Sequence, residues 1–207
     1  MIVTNAVSDY LDRTRPRPDP LLAEMEEHGH RDGIPIVVPG TGALLEVMAL
    51  ARGARRALEV GTAIGVSTLH ILRGMAADGT IVSFEIDPVR HEAARGYLER
   101  GGVLDRADLR LQDAHEGLAT LEGPFDFAFI DGVKSEYGAY FDRLLPLLGS
   151  GAVLVVDNVL MGGSVAEDAG SERAERARAF NDRLLGHPEL TGTVTPVGDG
   201  VLVAVKA

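Results

Sequence analysis

The stretch from Arg56 to His70 constrains the fold more than any other part of the chain. Its short apolar run Arg56-Ala-Leu-Glu-Val60 breaks at Gly61 and again at Gly65, then resumes with helical spacing from about Val66. A strand that ends in a tight glycine turn and restarts as a helix presents backbone N–H groups and the positive helix end at the strand tip, where a nucleotide-like ligand is held. The glycine spacing is not the dinucleotide pattern G-x-G-x-x-G, and a purely structural turn fits the same residues. A second run, Thr80-Ile-Val-Ser-Phe84, closes on Glu85, 20 residues beyond Gly65. A carboxylate at that point can accept both hydroxyls of a ribose.

Downstream the pattern repeats. Strands are predicted near 56–60, 80–85, 108–112, 125–131 and 151–157, and helices near 66–77, 88–101, 115–121 and 136–149. The runs Phe125-Asp-Phe-Ala-Phe-Ile130 and Ala152-Val-Leu-Val-Val156 lack clean alternation, which suits strands covered on both faces of a parallel sheet. Strands separated by helical stretches imply βαβ units and an α/β, doubly wound sheet. Thr191–Val197 and Val201–Val205 flank Gly198-Asp-Gly200 and predict a closing hairpin, an ending unlike a dehydrogenase domain. Ahead of the sheet, Val3–Glu27 reads as an amphipathic helix, a proline-spaced link (Arg15–Pro20) and a further helix from Leu21. Ile34–Gly42 reads as extended, and Ala43–Arg52 as a helix. The chain is therefore expected to form one domain over 1–207, with residues 1–35 a helical arm or lid and 36–207 the core.

Composition removes several classes of function. A net charge of −11 repels phosphate backbones, so nucleic acid is a disfavoured partner. The arginine-rich stretches at 13–17, 52–56 and 173–178 are short, mixed with apolar or acidic residues, and read as solvated helix faces. With no cysteine there is no disulfide, thiolate metal site or Cys nucleophile. No apolar run approaches the ~20 residues of a membrane helix, and no secretory signal is evident at the N-terminus. A cytoplasmic protein is expected. His28, His30, His70, His91, His115 and His187 have no metal-ligand spacing and read as surface or interface residues; no G-x-S-x-G elbow is present.

Ligands of open parallel sheets bind beyond the carboxyl ends of the strands, and there polar residues gather. The glycine turn follows the first strand, Glu85 the second, Asp113-Ala114 the third, Asp131-Gly-Val-Lys134 the fourth and Asp157-Asn158 the fifth. Each Asp or Asn alone could be a helix cap. Together they divide into two groups. Glu85 and Asp113 are ordered for an adenosine, with the ribose at Glu85 and the adenine amino group near Asp113. Asp131, Asp157 and Asn158 offer three oxygens, two of them anionic, to a magnesium-class ion. Lys134, three residues after Asp131, faces the same cleft on a helical turn. A neighbouring dication would favour its neutral form, as a general base requires; the alternative is a surface lysine paired with Asp131 or Glu136.

These motifs resemble the cation-dependent O-methyltransferases, the family of catechol and caffeoyl-CoA O-methyltransferases and their bacterial relatives. The match runs through Leu58-Glu-Val-Gly-Thr-Ala-Ile-Gly-Val-Ser-Thr68, Phe84-Glu-Ile-Asp87, Gln112-Asp-Ala114, Phe129-Ile-Asp-Gly-Val-Lys134 with Tyr137, Asp157-Asn158 and Gly198-Asp-Gly-Val201, from about Pro39 to the C-terminus. The resemblance implies a Rossmann-like sheet of seven mostly parallel strands with an antiparallel strand from the C-terminal hairpin. It implies S-adenosylmethionine held by Val37, Gly61, Ser67, Glu85, Asp113, Ala114 and Asp131, with Glu59 supporting the turn. It further implies Mg²⁺ or a similar divalent cation on Asp131, Asp157 and Asn158, Lys134 as base, a phenolic or catechol acceptor, and a homodimer. Gly132-Val133 and Met161 depart from the family's commoner residues, and both border the expected acceptor pocket. Two other readings keep the cofactor: methylation of a hydroxylated uridine in tRNA, and a cofactor-binding protein without catalysis.

Overall fold

A computed structural model describes residues 5–15, 17–167 and 171–207. The expectations placed on Val3, Thr4, Pro16 and the 168–170 part of the loop after Met161 lie outside the described residues. Three helices precede the sheet: α1 (Asn5–Thr14), α2 (Pro20–Asp32) and α3 (Pro39–Arg52). Asp19 caps α2 by accepting from the N–H groups of Leu21 and Leu22, both at 3.0 Å, which satisfies donors the helix leaves free. The segment expected to be extended as far as Gly42 stops at Val38. Pro39 occupies the first turn of α3, where its fixed φ and missing N–H favour a helix start.

From Arg56 strands and helices alternate: β1 (Arg56–Val60), α4 (Val66–Gly74), β2 (Thr80–Glu85), α5 (Pro88–Arg100), β3 (Ala107–Leu111), α6 (Ala114–Leu118), β4 (Phe125–Ile130), α7 (Tyr137–Leu144), β5 (Leu148–Val156), α8 (Glu172–Leu185), β6 (Leu190–Thr195) and β7 (Val201–Lys206). The long helix expected over 136–149 is broken into a 3-10 turn at Lys134–Glu136, α7, and a second 3-10 turn at Leu145–Leu147. Pro146 in the second turn has no N–H to continue an α-helix. β5 begins earlier than expected because Leu148 pairs with Phe125 before a register shift brings Val153 opposite Phe127. Among the described residues no helix is long and apolar enough to cross a membrane.

The sheet has seven strands in the order β3-β2-β1-β4-β5-β7-β6. β1 to β5 pair in parallel, and β7 pairs antiparallel with both β5 and β6, so β7 alone runs against the rest. Strand order reverses between β1 and β4, which opens a crevice at their carboxyl ends. Alternate residues face two separate cores. Ala57, Ile81, Phe127, Phe129, Val153 and Val155 pack beneath α3, α4 and α5; Leu58, Val60, Phe84, Ala128, Ile130 and Leu154 pack beneath α6, α7 and α8. That two-sided burial explains why the strand sequences are apolar throughout.

The tips of β1 and β4 approach closely at the crevice. Gly61 has φ +100°, and a Cβ there would lie 2.4 Å from the backbone carbonyl oxygen of Asp131. Only glycine tolerates both the dihedral and the approach. We expect Gly61→Ala to cost about 3 kcal/mol or more, from clash added to backbone strain. Gly33→Ala, also at positive φ but with nothing within 4 Å of the added Cβ, should cost about 1 kcal/mol. Urea unfolding midpoints measure both; equal losses would show that the two strand tips are not pressed together.

Candidate active site

A cavity of about 550 Å³ occupies the crevice, with residues 35–38 forming one wall. The glycine turn forms its inner edge. The N–H groups of Gly61 and Thr62 both donate to the Phe84 carbonyl at 3.1 Å, which ties the turn to β2. Beneath it Glu59 is fully buried, its Oε2 accepting from Thr68 Oγ1 at 2.5 Å and Ser83 Oγ at 2.6 Å. Among the described residues its Oε1 has no hydrogen-bond partner. Burial raises the Glu59 carboxyl above the ordinary range, against the pull of the hydroxyls of Ser67, Ser83 and Thr68. Glu59 therefore braces α4 against β1 and β2 from behind the cavity wall.

Glu85 is held by three backbone donors: Ala63 N to Oε2 at 2.8 Å, and Ile86 N and Asp87 N to Oε1 at 2.9 Å each. The carboxylate is fixed, and Oε2 keeps a lone pair for a ligand hydroxyl. Val37 and Ser67 are buried and line the same cavity. Asp113 lines it as well and also caps α6, accepting from His115 N at 2.8 Å, so at this position the cap reading and the ligand reading coexist. Ala114 is buried beside it.

On the other side, Asp131 and Asp157 end β4 and β5 without capping a helix. Lys134 Nζ donates to Asp131 Oδ1 at 2.9 Å. The Tyr137 hydroxyl donates to the Asp157 carbonyl oxygen at 3.1 Å and lies 3.3 Å from Lys134 Nζ. Asp157 is buried, and its Oδ1 accepts from Asn158 N at 2.8 Å. Burial, then the Asp131 charge, push the Asp157 carboxyl up to about 7; Asn158 N–H and Lys134 oppose the shift. Burial also raises Asp131, with Lys134 opposing. One ammonium thus serves two crowded carboxyls, a deficit of positive charge that a dication would fill. Among the described residues no three His, Cys, Asp or Glu side chains group as metal ligands. A cation here would take the Asn158 amide, which makes no side-chain hydrogen bond among the described residues, as its third donor. Two carboxylates and an amide form a hard oxygen set suited to an ion of the magnesium class.

A family model described as O-methyltransferase matches residues 18–207. The chain belongs to the O-methyltransferase family. It is 37% identical over 190 residues, 90% of this chain and 86% of the relative, to a catechol O-methyltransferase of Mycobacterium tuberculosis. The O-methyltransferase of Bacillus cereus in complex with SAH superposes with a TM-score of 0.88 at 30% identity, covering 98% of this chain and 97% of that one. The O-methyltransferase TomG of Streptomyces achromogenes, involved in tomaymycin synthesis and solved with SAM, gives 0.88 at 31% identity, covering 98% and 96%.

In this O-methyltransferase the residues singled out from the sequence come together at the crevice, with Glu59 behind its wall and the others in it. The N-terminal histidines do not reach it: His28 bonds the Tyr97 hydroxyl at 2.9 Å and pairs with Asp32 at 3.1 Å. His115 is no plain surface residue, since it stacks on Tyr140 and approaches Glu136 at 3.2 Å, and both of those line the cavity. Ile86 and Asp199 line the cavity with no role expected of them from the sequence, and Val133, expected at the border of the acceptor pocket, lines it too. Ile86 is 65% exposed and Val133 49% exposed, both on the cavity wall. Asp199, in the β6–β7 turn, lines the cavity and accepts from Gly162 N at 2.6 Å. Tyr137 had a signal in its spacing, three residues beyond Lys134, which puts the two on one helical face.

Proposed function

We propose that this O-methyltransferase moves the methyl group of S-adenosylmethionine to one hydroxyl of a catechol-like vicinal diol, with Mg²⁺ or a similar cation on Asp131, Asp157 and Asn158. The observation that carries the reading is Lys134 Nζ at 2.9 Å from Asp131, beside the buried carboxyl of Asp157. The cofactor's ribose would lie on Glu85, and its adenine between the exposed apolar side chains of Ile86 and Val133, near Asp113 and Ala114. Its amino acid end would lie by Gly61 and Ser67, with Val37 against it. A cation held by Asp131, Asp157 and Asn158 would lower the proton affinity of the acceptor hydroxyl as a Lewis acid.

With its charge displaced by a bound cation, Lys134 would be a neutral amine and accept the proton of the attacking hydroxyl, becoming the ammonium. The methyl meanwhile leaves sulfur for that oxygen, and S-adenosylhomocysteine is released. Asp131 holds that amine in place, and Tyr137 limits its swing from the other side. Burial, with the charges of Asp131 and Asp157, raises the Tyr137 hydroxyl well above its ordinary range, so it stays a donor to the Asp157 carbonyl throughout. The methyl donor is already activated, and most of the protein's contribution is alignment and charge placement.

A tRNA acceptor fits less well. The cavity wall carries Arg90 and Lys134 as its basic residues, while Arg15 and Arg31 pair with Glu26 and Asp32. A non-catalytic role leaves the crowded carboxyls beside Lys134 unexplained. The exposed Tyr10 and Leu11 of α1 support a homodimer joined through the arm, and a cytoplasmic location goes with this reading.

Three outcomes are expected. Chelation with EDTA abolishes methyl transfer to a catechol, and Asp157→Ala removes both activity and its cation dependence; turnover that survives EDTA unchanged would refute the cation. Lys134→Met lowers kcat by about 10²–10⁴, with S-adenosylmethionine binding by calorimetry preserved. Because cation ligands must be ionised and Asp157 titrates near 7 in the metal-free protein, Mg²⁺ affinity rises about tenfold from pH 6 to pH 8, with proton uptake on release of the ion. An affinity flat across that range would show the carboxyl is already ionised at pH 6.

A further inference from the structure

Behind Lys134 lies a second cavity of about 400 Å³ that shares this lysine with the first. Its chemistry is the reverse of its neighbour's. The first is edged by Glu85, Asp113, Asp131, Asp157 and Asp199; the second has an apolar floor of Val159, Met161 and Phe180 and a rim of Arg173, Arg176 and Arg183. In a chain of net charge −11, three arginines gather around this one concavity.

The three arginines are not equivalent. Arg176 pairs with Glu172 at 2.5 Å, and Arg183 pairs with Asp142. Arg173 has no carboxylate partner among the described residues; its Nη2 meets only the Met161 sulfur, at 3.7 Å. It also sits in the first turn of α8, just after the Ser171 cap, where the positive end of the helix disfavours a cation. Arg173 is exposed at the edge of the cavity, so its guanidinium is open to a ligand there.

We propose that the second cavity is the acceptor's anchor, with Arg173 binding a carboxylate carried on the aromatic ring while the diol reaches past Lys134. The substrate class narrows from catechols in general to catechols bearing an acidic side chain. A planar guanidinium matches a carboxylate through two parallel N–H···O bonds, and the apolar floor takes the ring or its linker. Arg176 and Arg183, already neutralised, contribute less. Amine-bearing catechols meet the same arginines as like charges and are disfavoured. This inference rests on the catechol reading above.

The test uses the full chain with S-adenosylmethionine and Mg²⁺ and three acceptors sharing one ring: 3,4-dihydroxycinnamate, its methyl ester, and 3,4-dihydroxyphenethylamine. The wild type should prefer the carboxylate to the ester by about tenfold or more in kcat/KM, mostly through KM, with the amine poorest. Arg173→Gln should bring the carboxylate-to-ester ratio close to one, and its thermal midpoint should not fall. A wild-type ratio near one, or a ratio that Arg173→Gln leaves in place, overturns the anchor. Calorimetric binding of cinnamate, which has the carboxylate but no diol, separates the two readings. Cinnamate binding that Arg173→Gln abolishes supports the anchor even if no catechol is methylated, in which case the catechol reading fails. Absence of cinnamate binding to the wild type overturns the anchor whatever the turnover.

Discussion

The contact between the backbone at Gly61 and the carbonyl of Asp131 governs the geometry of everything around it. β1 and β4 are the strands at which the sheet reverses order, and a missing side chain lets their tips come within van der Waals distance. Glu85 is then bound to the glycine turn through Ala63 N, and Asp131 is carried beside Asp157. A wider gap would separate a ribose-binding carboxylate from the ammonium of Lys134. The fold thus compresses two unrelated recognition tasks into one crevice by using the smallest residue at its hinge.

Electrostatics then divide that crevice. On the glycine side Glu85, the carboxylate that faces the cavity, is satisfied by three backbone donors. Glu59 behind the wall has two hydroxyls on one oxygen and, among the described residues, none on the other. On the β4–β5 side the carboxylates that face the cavity are not satisfied. Asp131 and Asp157 are raised together, and one lysine compensates only part of the crowding. Unmet charge in a buried setting is costly, and such imbalance concentrates at functional sites. The satisfied half reads as a rigid cradle and the unsatisfied half as the place where chemistry is arranged.

Much of this is legible in the sequence because strand tips in a parallel sheet are local features. Gly61, Glu85, Asp113, Asp131 and Asp157 each end an apolar run, and the topology of the fold gathers such ends on one edge. What escapes are residues whose role depends on a partner distant in the chain. Asp199 faces the cavity only because a hairpin folds back over Gly162, 37 positions earlier. Ile86 looks like any apolar residue after a strand until its exposure is seen. Arg173 reads as one charge among many on a solvated helix, since the carboxylates that neutralise its neighbours, Glu172 and Asp142, lie one on its own helix and one on α7. The break in the 136–149 segment likewise follows from Pro146, which amphipathic spacing alone does not weigh.

The insertion of β7 between β5 and β6 has a bearing on biosynthesis. β5 carries Asp157, yet its outer edge stays bare until residues 201–206 thread in alongside it, and the turn holding Asp199 cannot form sooner. On a ribosome those residues emerge after every other part of the crevice. A nascent chain consequently carries an open, apolar strand edge and an incomplete pocket until residues 201–206 have been made, and that edge is exposed to aggregation meanwhile.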